Sequence, residues 1–232
     1  MNPVLVSDLD DTLTYSIKQE DGELYIFVNM KMIDILHRAM ILRRKGKIDA
    51  ILLLTNNTNR KIKVSGIERN YLDITYERIV NEYNNKYTDN QIESIKDIFD
   101  NIYTAEKDMK RTYDLIRNIP GIGYPNKYKP GPSMNGLRFR ETKNINTVSR
   151  MLRNKSKNVH NLEKRVYFFD DETIDHEIKK EIEGKGGQYI TIIPPFHGQD
   201  EDKTNFAPVY TMLEKLEKQR GGARTRRKRK TL

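Results

Sequence analysis

Two aspartates, Asp8 and Asp10, stand two residues apart directly after the apolar run Val4-Leu5-Val6. Two more acids, Asp170 and Asp171, close a second apolar run, Val166-Tyr167-Phe168-Phe169. Carboxylates placed in this way suit phosphoryl transfer. Moving a phosphoryl group off an ester needs a nucleophile, a proton donor for the leaving oxygen, and positive charge against the equatorial oxygens. One carboxylate can attack phosphorus while touching a metal ion, and a second can shuttle the proton. Further carboxylates from a neighbouring strand end can help to hold the cation. An all-oxygen donor set of this kind suits Mg2+ rather than zinc.

Other chemistries find less support. Cysteine is absent, which removes disulfides, thiolate zinc sites and a cysteine nucleophile. His37, His160, His176 and His197 have no ligand spacing, and His37 falls in a helical pattern where packing is its expected role. Gly121-Ile122-Gly123 lacks the third glycine and the preceding strand of a dinucleotide-binding turn. In Gly184-Lys185-Gly186-Gly187 no Ser or Thr follows the lysine, so the segment is no P-loop.

The elements that must position these acids are legible as alternating strands and helices. Val4-Leu5-Val6, Ala50 to Leu54, Ile102-Tyr103-Thr104, Val166 to Phe169 and Tyr189 to Ile193 read as strands. Their continuous apolar character suits strands covered on both faces. Met32, Ile33, Ile35, Leu36, Met40 and Leu42 are at helical spacing between Met30 and Arg44. Residues 66–100 read as polar and helical. Further helices are expected from about Lys143, carrying Ile145, Val148, Met151 and Leu152, then over Ile174–Ile182 and Ala207–Lys218. Asp21-Gly22 between Tyr15-Ser16-Ile17 and Leu24-Tyr25-Ile26-Phe27 signals a hairpin. Residues 119–136, rich in Gly and Pro, read as a loop. Together these imply an α/β fold: a three-layer, Rossmann-like parallel sheet with a small hairpin flap and a helical and loop insertion at about 61–142. Ligands of such sheets bind beyond the carboxyl ends of the strands, where Asp8, Thr55 and Asp170-Asp171 all fall.

Val4 to Thr14 (VLVSDLDDTLT) resembles the first motif of the haloacid-dehalogenase-like hydrolase superfamily. LLLTNN, YFFDDE and a lysine before a helix resemble the other three, in order, and the feel is closest to the magnesium-dependent phosphatases. The resemblance implies that Asp8 is the nucleophile and a Mg2+ ligand. It implies that Asp10 is the general acid and base, with its backbone carbonyl on the metal. Thr55 would bind the transferring phosphoryl group, and Lys143 would balance the charge of nucleophile and phosphate. Asp171 would ligate Mg2+ directly, with Asp170 and Asp175 in support. Lys129, followed by Pro130, rivals Lys143; the helical pattern directly after Lys143 favours the latter. The implied activity is hydrolysis of phosphomonoesters through an aspartyl-phosphate. The short stretch between Asp8 and the Thr55 strand leaves little room for a large cap there, so macromolecular as well as small substrates are open.

Charge separates a tail from a body. Of the net +9, seven basic residues lie between Arg220 and Lys230 with no acid among them. Residues 1–218 then form a nearly neutral hydrolase domain, and 219–232 a disordered basic tail. The tail resembles the basic endings of proteins from large DNA viruses. It suits contact with nucleic acid or a nuclear address, and it carries the alternative reading of a scaffold that binds nucleic acid or associates with a virion. Lys129, Arg138 and Arg140, interleaved with Tyr124, Tyr128 and Phe139, are further candidates for substrate or nucleic-acid contact. The N-terminus has no basic start or cleavage site, and no apolar run approaches the ~20 residues of a membrane span. The expected location is cytoplasmic or nuclear, host cell or virion included, and not secreted.

Overall fold

A computed structural model describes residues 1–18, 23–55, 61–64, 66–104, 145–171, 177–192, 196 and 204–219. Its centre is a parallel five-stranded sheet made of β1 (Val4–Ser7), β4 (Ala50–Thr55), β7 (Asn101–Thr104), β8 (Val166–Asp170) and β9 (Gln188–Thr191). Their order is β7-β4-β1-β8-β9. The chain thus builds outward from β1 to one edge and then returns to add β8 on the other side. The switch point lies between β1 and β8, where Val4 to Ser7 pair with Val166 to Phe169.

The central strands β1, β4 and β8 are mostly apolar and almost wholly buried because helices cover both faces. Alternate residues supply the two layers. Leu5, Ile51, Leu53, Phe169 and Ile190 pack with α1 (Met30–Arg44), α2 (Tyr71–Lys86), α3 (Ile95–Ile98) and α6 (Ala207–Lys218). Val4, Val6, Ala50, Leu52, Leu54, Val166 and Phe168 pack with α4 (Ile145–Arg153) and α5 (Glu177–Glu183). This is the period of two expected when each strand is buried on both sides.

Helix ends follow local chemistry. The Asn29 side-chain oxygen accepts the N–H groups of Lys31 and Met32 at 3.2 and 3.3 Å, which fixes the start of α1. Arg43 and Arg44 in its last turn suit the negative end of the helix dipole. Arg38 makes a two-bond contact with Glu217 at 2.9 Å each, tying α1 to α6.

Two hairpins stand apart from the main sheet. β2 (Thr14–Lys18) pairs antiparallel with β3 (Leu24–Val28), as the flanking sequences predict. The second hairpin, β5 (Lys61–Val64) with β6 (Ile67–Asn70), replaces the helical start expected after residue 66. Its turn passes through Gly66 at φ +80°, a conformation that side chains disfavour. α2 then begins at Tyr71 and buries Tyr71, Leu72, Thr75, Ile79 and Tyr83. It joins the same core layer as α1, in the crossover from β4 to β7. No described helix is long and apolar enough to cross a membrane.

Candidate active site

β1 ends at Ser7, and the next residue, Asp8, still donates its N–H to the Phe169 carbonyl of β8 at 2.9 Å. The ladder therefore runs one residue past the strand and fixes the Asp8 backbone at the switch point. Beyond it the chain makes a tight turn. Leu13 and Thr14 both donate to the Leu9 carbonyl, at 2.9 and 2.8 Å, and Asp11 donates to the Thr14 carbonyl at 2.7 Å. Asp11 takes the left-handed conformation, φ +53°, which aspartate tolerates better than most residues. The Phe196 N–H donates to the Asp11 carbonyl at 2.7 Å, which ties Phe196 to this turn.

Carboxylate oxygens of Asp8, Asp170 and Asp171 lie within 4.8 Å of one another. Asp8 is 4% and Asp170 0% exposed, while Asp171 is half-buried. The Tyr189 hydroxyl of β9 donates to Asp170 at 2.7 Å. At such separations each pair of ionised carboxylates repels by about 3 kcal/mol at an effective dielectric of about 20. A hard divalent cation removes that repulsion, and an all-carboxylate donor set is the kind that Mg2+ accepts. The residues therefore fit such an ion.

Asp10, two residues on, has a partner of its own. Its Oδ1 accepts a hydrogen bond from the Tyr71 hydroxyl at 2.9 Å. Burial, and then the charge of Asp10, push the Tyr71 phenol up to about 12, so it stays protonated and remains a donor. Thr55 is the last residue of β4 and is buried. Leu53 pairs with Ser7, so Thr55 stands two residues further along, on the strand next to Asp8.

Of the residues singled out from sequence, the fold thus gathers Asp8, Asp170 and Asp171, with Asp10 on the turn after β1 and Thr55 at the neighbouring strand end. Lys143, Asp175, Lys129, Arg138, Arg140 and the tail from Arg220 onward lie outside the described residues. Three participants escaped sequence reading: Tyr71, Tyr189 and Ser16, whose Oγ lies 3.2 Å from the Tyr71 hydroxyl. No signal in the sequence separates them from ordinary core tyrosines and a strand serine.

The class that fold and site define is an α/β protein with a buried acidic cluster at the carboxyl edge of a parallel sheet. No protein-family model matches the chain, and no curated protein matches it significantly.

Proposed function

We propose that the chain is a Mg2+-dependent phosphohydrolase of the haloacid-dehalogenase-like type, acting on phosphomonoesters. The observation that carries this reading is the convergence of Asp8, Asp170 and Asp171 at the switch point of the sheet, with Asp10 on the turn that follows. Asp8 is backbone-fixed by its bond to Phe169, as a nucleophile aimed at phosphorus must be. In the first step an Asp8 oxygen bonds to phosphorus as the bond to the ester oxygen breaks. Asp10 gives that oxygen its proton. In the second step water attacks phosphorus, Asp10 takes the water proton, and the bond to Asp8 breaks to release phosphate. Asp8 and Asp171, with the Asp10 carbonyl, would hold Mg2+, which would supply positive charge against the phosphoryl oxygens. Thr55 would donate to those oxygens, and Lys143 would balance the remaining charge.

The test is a hydrolysis screen over nucleotides, sugar phosphates, phosphopeptides and phosphorylated DNA or RNA ends, with Mg2+ and with EDTA. Turnover that needs both Mg2+ and Asp8 supports the reading. Failure across the set, or activity untouched by EDTA, removes it. A second reading, a scaffold that binds nucleic acid, rests on the seven basic residues between Arg220 and Lys230.

A further inference from the structure

Tyr71 opens α2 and is only 1% exposed. Its hydroxyl is a junction between separate parts of the chain. It donates to Asp10 Oδ1 at 2.9 Å and lies 3.2 Å from Ser16 Oγ on β2. A phenol has one proton. That proton is given to Asp10, so the Ser16 hydroxyl must be the donor in the second contact. The result is an oriented chain, Ser16 to Tyr71 to Asp10, that ties the β2–β3 hairpin and α2 to the turn after β1. Arg78 of α2 adds a second tie, donating from Nε to the Ile26 carbonyl of β3 at 3.3 Å.

We propose that Tyr71 is a positioning residue for Asp10, fixing the direction from which its carboxyl group exchanges a proton with the leaving oxygen, and that Ser16 holds Tyr71 to that task. The proposal rests on the phosphohydrolase reading, in which Asp10 handles that proton. An aspartate on a turn can rotate about two side-chain bonds. A hydrogen bond from a buried phenol pins one oxygen and thereby sets where the other points. The donor itself moves little, because its ring is packed in the core and its backbone begins a helix. Proton transfer requires the acid within hydrogen-bond reach of its target, so a small rotation of Asp10 is felt in the rate. The loss should also depend on the leaving group. A phenolate with a low pKa departs without much help, whereas an alkoxide needs its proton.

The experiment compares β-glycerophosphate with p-nitrophenyl phosphate for wild type, Tyr71→Phe, Ser16→Ala and Tyr76→Phe. The readout is kcat/KM, which reports the step in which the ester oxygen leaves. Tyr71→Phe should lower it for β-glycerophosphate by about tenfold or more, the scale of one hydrogen bond to a charged group, and several times less for p-nitrophenyl phosphate. Ser16→Ala should act in the same direction but more weakly. Tyr76→Phe removes a neighbouring buried hydroxyl that has no hydrogen-bond partner among the described residues, and both rates should stay at the wild-type level. An equal loss on both esters, no loss on either, or a matching loss in Tyr76→Phe overturns the positioning role. Should Tyr71→Phe fail to fold, Ser16→Ala, which keeps the ring, decides by the same comparison. If wild type shows no Asp8-dependent hydrolysis of either ester or of any substrate in the screen above, the phosphohydrolase reading falls and this role with it. Asp8-dependent hydrolysis that Tyr71→Phe lowers without regard to the leaving group sinks only the role of Tyr71.

Discussion

Asp8 sits 4% exposed beside two other carboxylates, and this crowding is a cost that the fold carries when no cation is present. Asp8→Asn removes one charge from the cluster without changing its shape. Turnover should be lost, while the melting temperature in EDTA should equal or exceed that of wild type. The rise in melting temperature on adding Mg2+ should shrink in the same variant, since one ligand charge is gone. A thermal-shift series with and without Mg2+ checks both statements; an unchanged Mg2+ response would show that Asp8 is no ligand. The lysines can be separated by kinetics. Lys143→Ala should lower kcat by about a hundredfold or more, as expected for one preorganised electrostatic group, and Lys129→Ala should act mainly on KM. A near-normal kcat in Lys143→Ala with a large loss in Lys129→Ala would reverse the assignment. At this scale Asp8, Asp170 and Asp171 were legible because acids that close apolar runs are conspicuous. Tyr71 and Tyr189 were not. Their rings are buried as their spacing implies, and only the aim of each hydroxyl, set by tertiary packing, gives them a place at the site.

Among the elements, α1 and α2 meet through an aromatic clasp. His37 stacks on Tyr87 with ring centroids 3.7 Å apart and a 5° interplanar angle, and its Nδ1 lies 2.8 Å from the Tyr83 hydroxyl. Tyr87 in turn donates to Asp34, which also pairs with Lys86 at 2.5 Å. Burial holds the His37 pKa below 6.5; Asp34 opposes this, and Arg44 and Lys86 reinforce it. The folded state therefore favours neutral imidazole, while the unfolded chain takes up a proton near pH 6.5. The stability contributed is complete above that pH and is lost as the pH falls through the folded value. Urea midpoints measured between about pH 7.5 and 5.5 should fall with pH, and His37→Phe should flatten that slope. A slope unchanged by the substitution would assign it to other groups. Gly187 offers a second test at this scale. A Cβ there would lie 2.3 Å from the Glu163 carbonyl oxygen and 2.6 Å from Ile182 Cγ2, so Gly187→Ala should destabilise by about 2 kcal/mol, read from the urea midpoint. α1 and the final helix were legible to their ends because apolar period and flanking polar residues agree. The β5–β6 hairpin was missed although Lys61-Ile62-Lys63-Val64 alternates and Ser65-Gly66 marks a turn. The helical pattern beyond it was extended too far back over a segment with only four residues per strand.

For the whole molecule, the strand order was implied only as a class by the alternation of strands and helices. Which strand lies beside which depends on pairings between distant segments, such as Val4 with Val166, that no local pattern encodes. The tail is the part of the molecule that composition isolates most clearly. Lys47 Nζ holds the Gln219 carbonyl at 2.6 Å, so a cut after Gln219 leaves the last described contact of α6 in place. Deleting residues 220–232 should leave hydrolysis of a small ester unchanged. Affinity for DNA or RNA should fall, and its dependence on salt should flatten, because up to seven cationic contacts vanish. Identical binding by both forms across a salt series would deny the tail that role.

β1 bears the proposed nucleophile and is also the middle of the sheet, paired on both sides and buried between both layers. Its amides cannot meet solvent unless β4 or β8 is stripped away, which is close to unfolding the whole. Hydrogen exchange over Val4–Asp8 should therefore report the global opening, the slowest class of exchange in the chain. A site built at the hub cannot melt ahead of its scaffold, so inactivation and unfolding on heating should share one midpoint.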